Sequence, residues 1–390
     1  MKKLSAITAG LVGQPMLKLL VEANDLEAAG RRILHFEVGD SDFDADPHVV
    51  DATITAIKAG CTKYVSSLGI PELRAAICEH IERVWGFRPE VEQVAVMPAN
   101  SIIDFALRCL ADPGDEVVFS DPGFPTYDAV ANYLGLVKVR VPVREERGFR
   151  LDPGELRRAI TGRTALAIIN TPANPTGAVL TAEDAAGIAR VAEEKDIYLL
   201  SDEIYYQNIY DGARHHSPAI YDRCRERTIL LSGFSKGYSM SGWRLGYAVG
   251  PVAVIEKMGL LFNTVYTCLP PFIQRAGIAA LATDASLVEA RRSLYMHLRD
   301  FMVARLNTLP GVSCAMPQGA IYAFPNIKGT GMSSEEFSRF ALHEAGVAAV
   351  PGSCFGPAGE GYVRFCYARR EEIIEEACAR LERALQARLG

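Results

Sequence analysis

Short apolar runs that do not alternate between polar and apolar side chains recur through the middle of the chain, between residues 46 and 284. Examples are residues 116–119, 165–169, 197–200 and 230–231. A strand that is apolar on both faces is covered on both faces, as in a parallel sheet packed between helices. Helical stretches and Pro-Gly turn signals separate the runs. The sequence therefore predicts an α/β fold with a mostly parallel sheet sandwiched by helices.

The pattern changes towards the C-terminus. A long helical stretch near residues 272–309 is followed by strand-like segments at 320–324 and 362–365, with helices near 333–345 and 370–388. A chain of 390 residues is also longer than one core normally serves. We predict a large domain of residues 46–284 and a smaller α+β domain of residues 285–390. Residues 1–45 are predicted to form an arm that joins the smaller domain.

Composition excludes several classes of protein. The net charge of −6 argues against a nucleic-acid-binding domain, which is normally basic. No apolar run is long enough to span a bilayer, and the N-terminal residues lack the sustained apolar core of an export signal. The cysteines form no C-x-x-C pair and the histidines have no zinc-site spacing, so we expect free thiols in a reducing compartment and no metal site. We therefore predict a cytoplasmic protein without nucleic-acid or membrane partners.

The segment from Gly233 to Gly246 contains the most informative residue, Lys236. It directly follows the buried run that ends near residue 231, and strand ends are where α/β proteins place their chemistry. Small residues flank the lysine, so a bulky group can approach the backbone closely. The Lys236 amine, the Ser235 hydroxyl and the Arg244 guanidinium together suit an aldehyde that carries a phosphate. Pyridoxal 5'-phosphate is such a group, and its chemistry begins with a lysine Schiff base.

Two further motifs follow buried runs. Asp202 comes after residues 197–200, where its carboxylate could pair with a protonated pyridine nitrogen, and Tyr205 could bond the 3'-oxygen of the same ring. A helix N-cap with a packed tyrosine is the alternative. Asn174 lies in a turn that two prolines make rigid, so its amide could donate to the same oxygen. The alternative there is an Asx-type turn.

Three other features are weaker evidence for a cofactor or substrate site when each is taken alone. Ala99, Asn100 and Ser101 precede an amphipathic helix, whose start favours anions, although Ser101 with Asp104 also fits a plain capped helix. Phe124 could stack on an aromatic cofactor or pack in the core. Arg364 is a charge in an apolar strand, where it could bind a carboxylate in bidentate fashion or form an internal salt bridge.

Together these motifs resemble the class I/II aminotransferases, which are fold-type I pyridoxal-phosphate enzymes, and the resemblance spans the chain from Gly39 to Arg364. It implies that Lys236 is the Schiff-base lysine that also moves the substrate proton, and that the large domain binds the cofactor. The cofactor-binding residues that it implies are Tyr64, Ala99, Asn100, Ser101, Phe124, Asn174, Asp202, Tyr205, Ser235, Lys236 and Arg244. Gly39, Asn174 and Arg364 would hold the substrate. Tyr64 resembles the tyrosine that reaches the phosphate of the neighbouring subunit, which implies a homodimer with shared sites.

The chain departs from the family pattern at a few positions. Ala99-Asn100-Ser101 replaces a more common glycine-containing helix start. Members that resemble aspartate transaminases often carry a lysine where Ser101 stands, so its absence argues against a dicarboxylic substrate. Ser41 stands where proline is usual. The arm around Gln14 is expected to cover the substrate.

The activity that the resemblance implies is ping-pong transfer of an amino group between an L-amino acid and a 2-oxo acid. Two alternatives share parts of this pattern. A β-lyase, or another lyase on the same scaffold, would use identical residues to activate the α-carbon. A non-catalytic ligand-sensing module would have a lost lysine or an appended DNA-binding segment, whereas Lys236 is present and the chain has no basic helix-turn-helix extension.

Overall fold

The computed structural model describes residues 2–11, 13 and 15–389, so Gln14 of the predicted arm lies outside the described residues. The strands are β1 Leu34–His35, β2 Val94–Met97, β3 Glu116–Asp121, β4 Val137–Pro142, β5 Thr164–Asn170, β6 Tyr198–Asp202, β7 Thr228–Gly233, β8 Gly246–Val249, β9 Tyr322–Ala323, β10 Val347–Ala348, β11 Val350–Pro351 and β12 Val363–Cys366. The α-helices are α1 Pro15–Ala28, α2 Pro47–Lys58, α3 Pro71–Trp85, α4 Ala99–Leu110, α5 Pro125–Leu134, α6 Pro153–Ala159, α7 Ala182–Lys195, α8 Ala219–Asp222, α9 Val252–Tyr266, α10 Pro271–Leu281, α11 Ala285–Leu306, α12 Ser334–Phe340 and α13 Glu371–Leu389.

The central sheet has the strand order β2-β8-β7-β6-β5-β3-β4. Neighbouring strands are parallel from β7 to β4, whereas β8 runs antiparallel to both of its neighbours. Every residue of β2, β7 and β8 is buried, as expected for strands with helices on both faces. The predicted α/β fold with a mostly parallel sheet is therefore confirmed.

The helical stretch predicted near residues 272–309 is broken into two helices, α10 and α11. Helix α10 ends at Leu281, and at the start of α11 the side chain of Asp284 accepts the backbone N–H of Ser286 at 2.8 Å. An aspartate that satisfies a free N–H stabilises a new helix start. The break separates a helix that packs on α2 and α3 from one that packs on α13.

A second hydrophobic core lies in the C-terminal part of the chain. Strands β11, β12 and β9 form an antiparallel sheet, and side chains of α11 and α13 belong to the same core. Leu34 and Phe36 from the N-terminal segment also lie in this core, and β1 pairs in parallel with β10. These contacts agree with an arm that joins the C-terminal part, while the boundaries after residues 45 and 284 stay a prediction.

The carboxyl ends of β5, β6 and β7 lie side by side at one edge of the central sheet. Asn170 and Asp202, the last residues of β5 and β6, are paired in register, and β7 ends at Gly233, just before Lys236. Ligands of open α/β sheets bind outside this edge. Among the described residues, no helix has the length and apolar character needed to cross a bilayer.

Candidate active site

A cavity of about 390 Å³ opens at this edge of the sheet. Among the described residues, every predicted site residue except Tyr64 and Ser101 lines it. The predicted residues on its wall are Gly39, Ala99, Asn100, Phe124, Asn174, Asp202, Tyr205, Ser235, Lys236, Arg244 and Arg364. These side chains come from distant parts of the sequence, so the fold gathers the motifs into one site.

Lys236 extends from the loop after β7 into this cavity. Its Nζ donates a hydrogen bond to the backbone oxygen of Gly39. Burial lowers the pKa of the ammonium group, and the nearby Arg364 and Arg244 guanidinium groups lower it further. A lysine with a lowered pKa is more readily present as the neutral amine, which is the form that reacts as a nucleophile or a base.

Asp202 ends β6 with a carboxyl group that is almost completely buried. Burial raises its pKa to about 6, although the Tyr127 hydroxyl donates to Oδ2 at 2.7 Å and the Ile204 N–H donates to Oδ1 at 3.3 Å. Two donors therefore do not offset the cost of burying this charge. A cationic ligand group next to Asp202 would stabilise the carboxylate.

Asn170 holds the turn that carries Asn174. Its side-chain oxygen accepts the Asn174 N–H at 2.8 Å, and its Nδ2 donates to the backbone oxygen of Asp202 at 2.9 Å. The ends of β5 and β6 are thereby fixed to each other. The Asn174 side-chain oxygen accepts a hydrogen bond from Arg364 Nη1 at 3.2 Å, so the amide faces the cavity rather than closing an Asx turn on its own backbone.

Arg364 of β12 is fully buried. Its guanidinium carbon lies 4.4 Å from the ring centre of Tyr322 and 5.1 Å from that of Phe355, and Nη2 donates to the backbone oxygen of Glu37. Within the described ranges, it forms no ion pair, and its Nε is buried without an acceptor. The alternative of an internal salt bridge is therefore wrong, and the group keeps unused capacity to bind an anion.

The start of α4 forms another part of the cavity wall. Gly246 lets this helix approach β8, because a Cβ at residue 246 would lie 3.0 Å from the Ala99 nitrogen. The expected capping pair is wrong: the cap residue is Pro98, and Asp104 instead binds Arg108 Nε at 2.9 Å. The Ser101 N–H donates to the Pro98 oxygen within the first turn.

The polar groups around this helix start can meet an anion. Asn100, Ser235 and Arg244 line the cavity there, and Arg244 is exposed with Nη1 bonded to the Ser241 backbone oxygen at 2.8 Å. Helix N-termini and guanidinium groups both favour phosphate.

Aromatic side chains complete the wall. Phe124 is partly buried and meets Tyr127 edge to face, with ring centres 5.5 Å apart. The Tyr205 and Tyr322 hydroxyl oxygens are 2.7 Å apart. Tyr127 and Tyr322 were not predicted from sequence. Tyr127 could have been predicted as a site residue from its position three residues after Phe124. Tyr322 belongs to no local motif that indicates a site.

Tyr64 lies away from the cavity on the segment between α2 and α3, and 85% of its surface is exposed. This segment packs against α9 and the loop after it: a Cβ at Gly259 of α9 would lie 2.5 Å from the Leu68 side chain, and the Val65 N–H contacts the sulfur of Cys268 in the loop at 3.5 Å.

Known proteins share this fold. A family model described as aminotransferase class I and II matches residues 31–381. An aspartate aminotransferase of Pyrococcus horikoshii is 42% identical over 91% of both chains. An aromatic-amino-acid aminotransferase of Thermococcus litoralis is 41% identical over 93% of this chain and 94% of its own. The crystal structure of an aspartate aminotransferase from Thermus thermophilus with maleate, 34% identical, superposes with a TM-score of 0.93 over 98% of this chain and all of its own.

The sheet and its cavity are those of an α/β enzyme that acts on a small molecule at the carboxyl edge of parallel strands. The chain belongs to the class I and II aminotransferases. It is a pyridoxal-phosphate-dependent enzyme that exchanges an amino group between an amino acid and a 2-oxo acid, which confirms the predicted class, activity and cofactor.

The residues of the cavity fit pyridoxal phosphate. Lys236, an amine that can meet an aldehyde, lines the same cavity as a buried acid and a helix start that favours phosphate. The raised pKa of Asp202 indicates a carboxyl group that lacks a cationic partner, and a protonated pyridine nitrogen would supply one. The Nε of Arg364 is buried without an acceptor among the described residues, and a substrate carboxylate that reached it would supply one.

Proposed function

We propose that this cavity is the site of transamination and that Lys236 carries out its proton transfers. The supporting observation is that the Lys236 amine, the Asp202 carboxyl group and the Arg364 guanidinium group converge on one cavity. When bound, pyridoxal phosphate supplies an aldehyde that takes up amines and a ring that accepts electrons from the substrate's α-carbon. Lys236 would hold the cofactor through its aldehyde. Its free amine would take the proton from the substrate's α-carbon and return it.

Asp202 is the proposed partner of the ring nitrogen. The carboxylate keeps a proton on that nitrogen. In return, the positive charge of the nitrogen favours the ionised form of Asp202 and so opposes the burial that raises its pKa to about 6. The Tyr127 hydroxyl holds Oδ2 in place for this contact. The pairing favours negative charge on the substrate's α-carbon during the reaction.

The other residues of the cavity wall are assigned to different parts of the cofactor. Asn174 and Tyr205 serve the 3'-oxygen, and Phe124 stacks on the ring. The proposed phosphate-binding residues are Ala99, Asn100, Ser101, Ser235 and Arg244. The substrate's α-carboxylate is assigned to Arg364, whose Nε has no acceptor, beside Gly39 and Asn174.

We expect ping-pong kinetics. Because one cavity serves both half-reactions, an amino acid alone should change the spectrum of the bound cofactor and release one equivalent of 2-oxo acid, with turnover only after a 2-oxo acid acceptor is added. Initial rates at several fixed acceptor concentrations should give parallel double-reciprocal lines. Intersecting lines would count against the proposal, and release of pyruvate and ammonia without an acceptor would identify a lyase.

The same half-reaction can identify the amino donor. Relatives named for aspartate and for aromatic amino acids are about equally similar, at 42% and 41% identity. Ser101, where a lysine is common in aspartate-specific members, favours donors other than dicarboxylates. A panel of amino acids, each tested alone by the spectral change of the bound cofactor, would rank the donors.

We also propose a homodimer in which Tyr64 contacts the phosphate of the other subunit's cofactor. Tyr64 is exposed, and Leu260, Val265 and Tyr266 on the adjacent helix α9 are exposed as well. Large exposed apolar side chains that lie together mark a protein interface. This surface and the family resemblance support the dimer.

Replacing Tyr64 with phenylalanine is expected to weaken cofactor binding about tenfold while the dimer persists, since only one hydrogen bond to a charged group is lost. Cofactor affinity is measured by titration of the apoprotein, and oligomeric state by light scattering. Tyr221→Phe, at another exposed tyrosine, is the matched control. Unchanged affinity in the Tyr64 variant, or a monomeric wild type, would contradict the shared site.

A cytoplasmic location is part of the proposal. All nine cysteines are free, and several of them are buried. Unpaired buried thiols are typical of proteins from reducing compartments.

A further inference from the structure

Tyr322 is the wall residue that no sequence motif predicts. It lies on β9, next to β12, which carries Arg364, and only 2% of its surface is exposed. Its hydroxyl oxygen is 2.7 Å from that of Tyr205, and its ring lies 4.4 Å from the guanidinium carbon of Arg364. One side chain therefore contacts both the proposed cofactor-side hydroxyl and the proposed carboxylate-binding group.

A glycine makes room for this arrangement. A Cβ at Gly39 would overlap the Tyr322 hydroxyl oxygen, so any other residue there would displace the tyrosine. The backbone oxygen of the same glycine accepts the hydrogen bond from Lys236. The position of the Tyr322 hydroxyl is thus fixed from two sides, by Gly39 and by Tyr205.

The direction of the hydrogen bond between Tyr205 and Tyr322 decides whether Tyr205 can donate to a ligand. If Tyr205 donated to Tyr322, its only proton would be used in that bond and could not be donated to a ligand. If Tyr322 donates, Tyr205 keeps its proton for a ligand oxygen, and accepting a hydrogen bond strengthens it as a donor. The other titratable groups that act on the Tyr322 hydroxyl are Arg364, Asp40 and Cys366.

The ring of Tyr322 acts on a different partner. Arg364 lies between the faces of Tyr322 and Phe355, and its remaining contacts are hydrogen bonds to Asn174 and to the Glu37 backbone oxygen. Aromatic faces stabilise a guanidinium group without using its N–H donors. The buried Nε donor consequently has no acceptor among the described residues.

We propose that Tyr322 is a positioning residue with two separable roles. Its hydroxyl donates to Tyr205 and directs the Tyr205 proton towards the cofactor's 3'-oxygen, while its ring holds the guanidinium plane of Arg364 for the substrate's carboxylate. Tyr322 then forms a second connection between substrate and cofactor, beside the direct contact of Arg364 with Asn174. This inference rests on the proposed function of the cavity.

Two variants separate the two roles. Tyr322→Phe removes only the hydroxyl, so the pH midpoint of the visible absorbance of the bound cofactor should rise by about half a unit, compared with about one unit for Tyr205→Phe. The Tyr205/Tyr322 double phenylalanine variant should match Tyr205→Phe, because the Tyr322 hydroxyl acts through Tyr205. Tyr322→Leu removes the ring, so its KM for the amino acid should exceed that of Tyr322→Phe by about tenfold.

The matched control is Tyr367→Phe. This buried tyrosine belongs to the same hydrophobic core and donates to the Ala320 oxygen at 2.9 Å, and Tyr210 donates to the same oxygen at 2.6 Å, so the carbonyl stays satisfied. The control should keep the wild-type midpoint and KM.

The outcomes distinguish this inference from the proposed function. A wild-type protein that gains no visible band with pyridoxal phosphate would refute the proposed function itself. With a normal wild type, an unshifted midpoint in Tyr322→Phe, or additive shifts in the double variant, would overturn the role of the hydroxyl. No shift in Tyr205→Phe would overturn it too, and equal KM values for the leucine and phenylalanine variants would overturn the role of the ring.

Discussion

Replacing Lys236 with alanine is expected to slow transamination by about 10⁴-fold or more, because the change removes both the nucleophilic amine and the group that transfers the proton. The fold should persist, since the Lys236 side chain lies in a cavity and its one hydrogen bond goes to the Gly39 backbone. Initial rates with an amino acid and a 2-oxo acid measure the loss, and circular dichroism checks the fold.

The control is Lys138→Ala, which removes a lysine outside the cavity, on the edge strand β4, and should leave the rate unchanged. Borohydride reduction of the loaded wild type should add the mass of the cofactor at residue 236, and the alanine variant should gain none there. A Lys236→Ala protein that keeps the wild-type rate would refute the assignment of this residue.

The second large effect is expected at Asp202. Asp202→Asn keeps the size of the side chain but cannot stabilise a protonated ring nitrogen, so kcat should fall by about 10³-fold, as when a preorganised electrostatic group is removed from an active site. Tyr127→Phe, which removes a donor to Oδ2, should give a smaller loss. An Asp202→Asn enzyme within a few-fold of wild type would show that the carboxylate does not face the ring nitrogen.

The same variant has a pH-dependent effect on the apoprotein. The pKa of Asp202 is raised from 3.8 to about 6 by burial in the folded state, so the folded state binds the proton more tightly than the unfolded state. The resulting loss of stability is absent below about pH 4, grows as the pH rises to about 6, and is complete above that. Asp202→Asn apoprotein should therefore be more stable than wild type at pH 8, by about 2 to 3 kcal/mol, and the difference should vanish towards pH 4.

Chemical denaturation of cofactor-free protein at several pH values measures this difference. Bound pyridoxal phosphate should reduce it, because a cation next to Asp202 favours the carboxylate. Equal stability of the two apoproteins at every pH would contradict a carboxylate at Asp202 that is buried without a cationic partner.

The chain's local patterns were sufficient to predict the fold and most of the residues that line the cavity. Apolar runs without alternation predicted the parallel sheet, because strands covered by helices on both faces have apolar residues on both faces. Asp202 and Lys236 were identifiable because each stands next to the end of such a run, and ends of neighbouring parallel strands lie side by side. The break between α10 and α11 was missed, although Asp284 is a favoured cap residue, because helical patterns continue on both sides of it.

Sequence alone thus determined the fold class, the edge of the sheet where the cavity lies and the residues at its strand ends, since these depend on short-range periodicity and position along the chain. Only the tertiary structure decided the contacts between distant segments. Tyr205 meets Tyr322 across 117 positions and Asn174 meets Arg364 across 190, so no local pattern could specify either pair. The physical reason is that such contacts form only when the packing of the two cores brings the segments together, which fixes the orientation of Arg364 and leaves its buried Nε without an acceptor among the described residues.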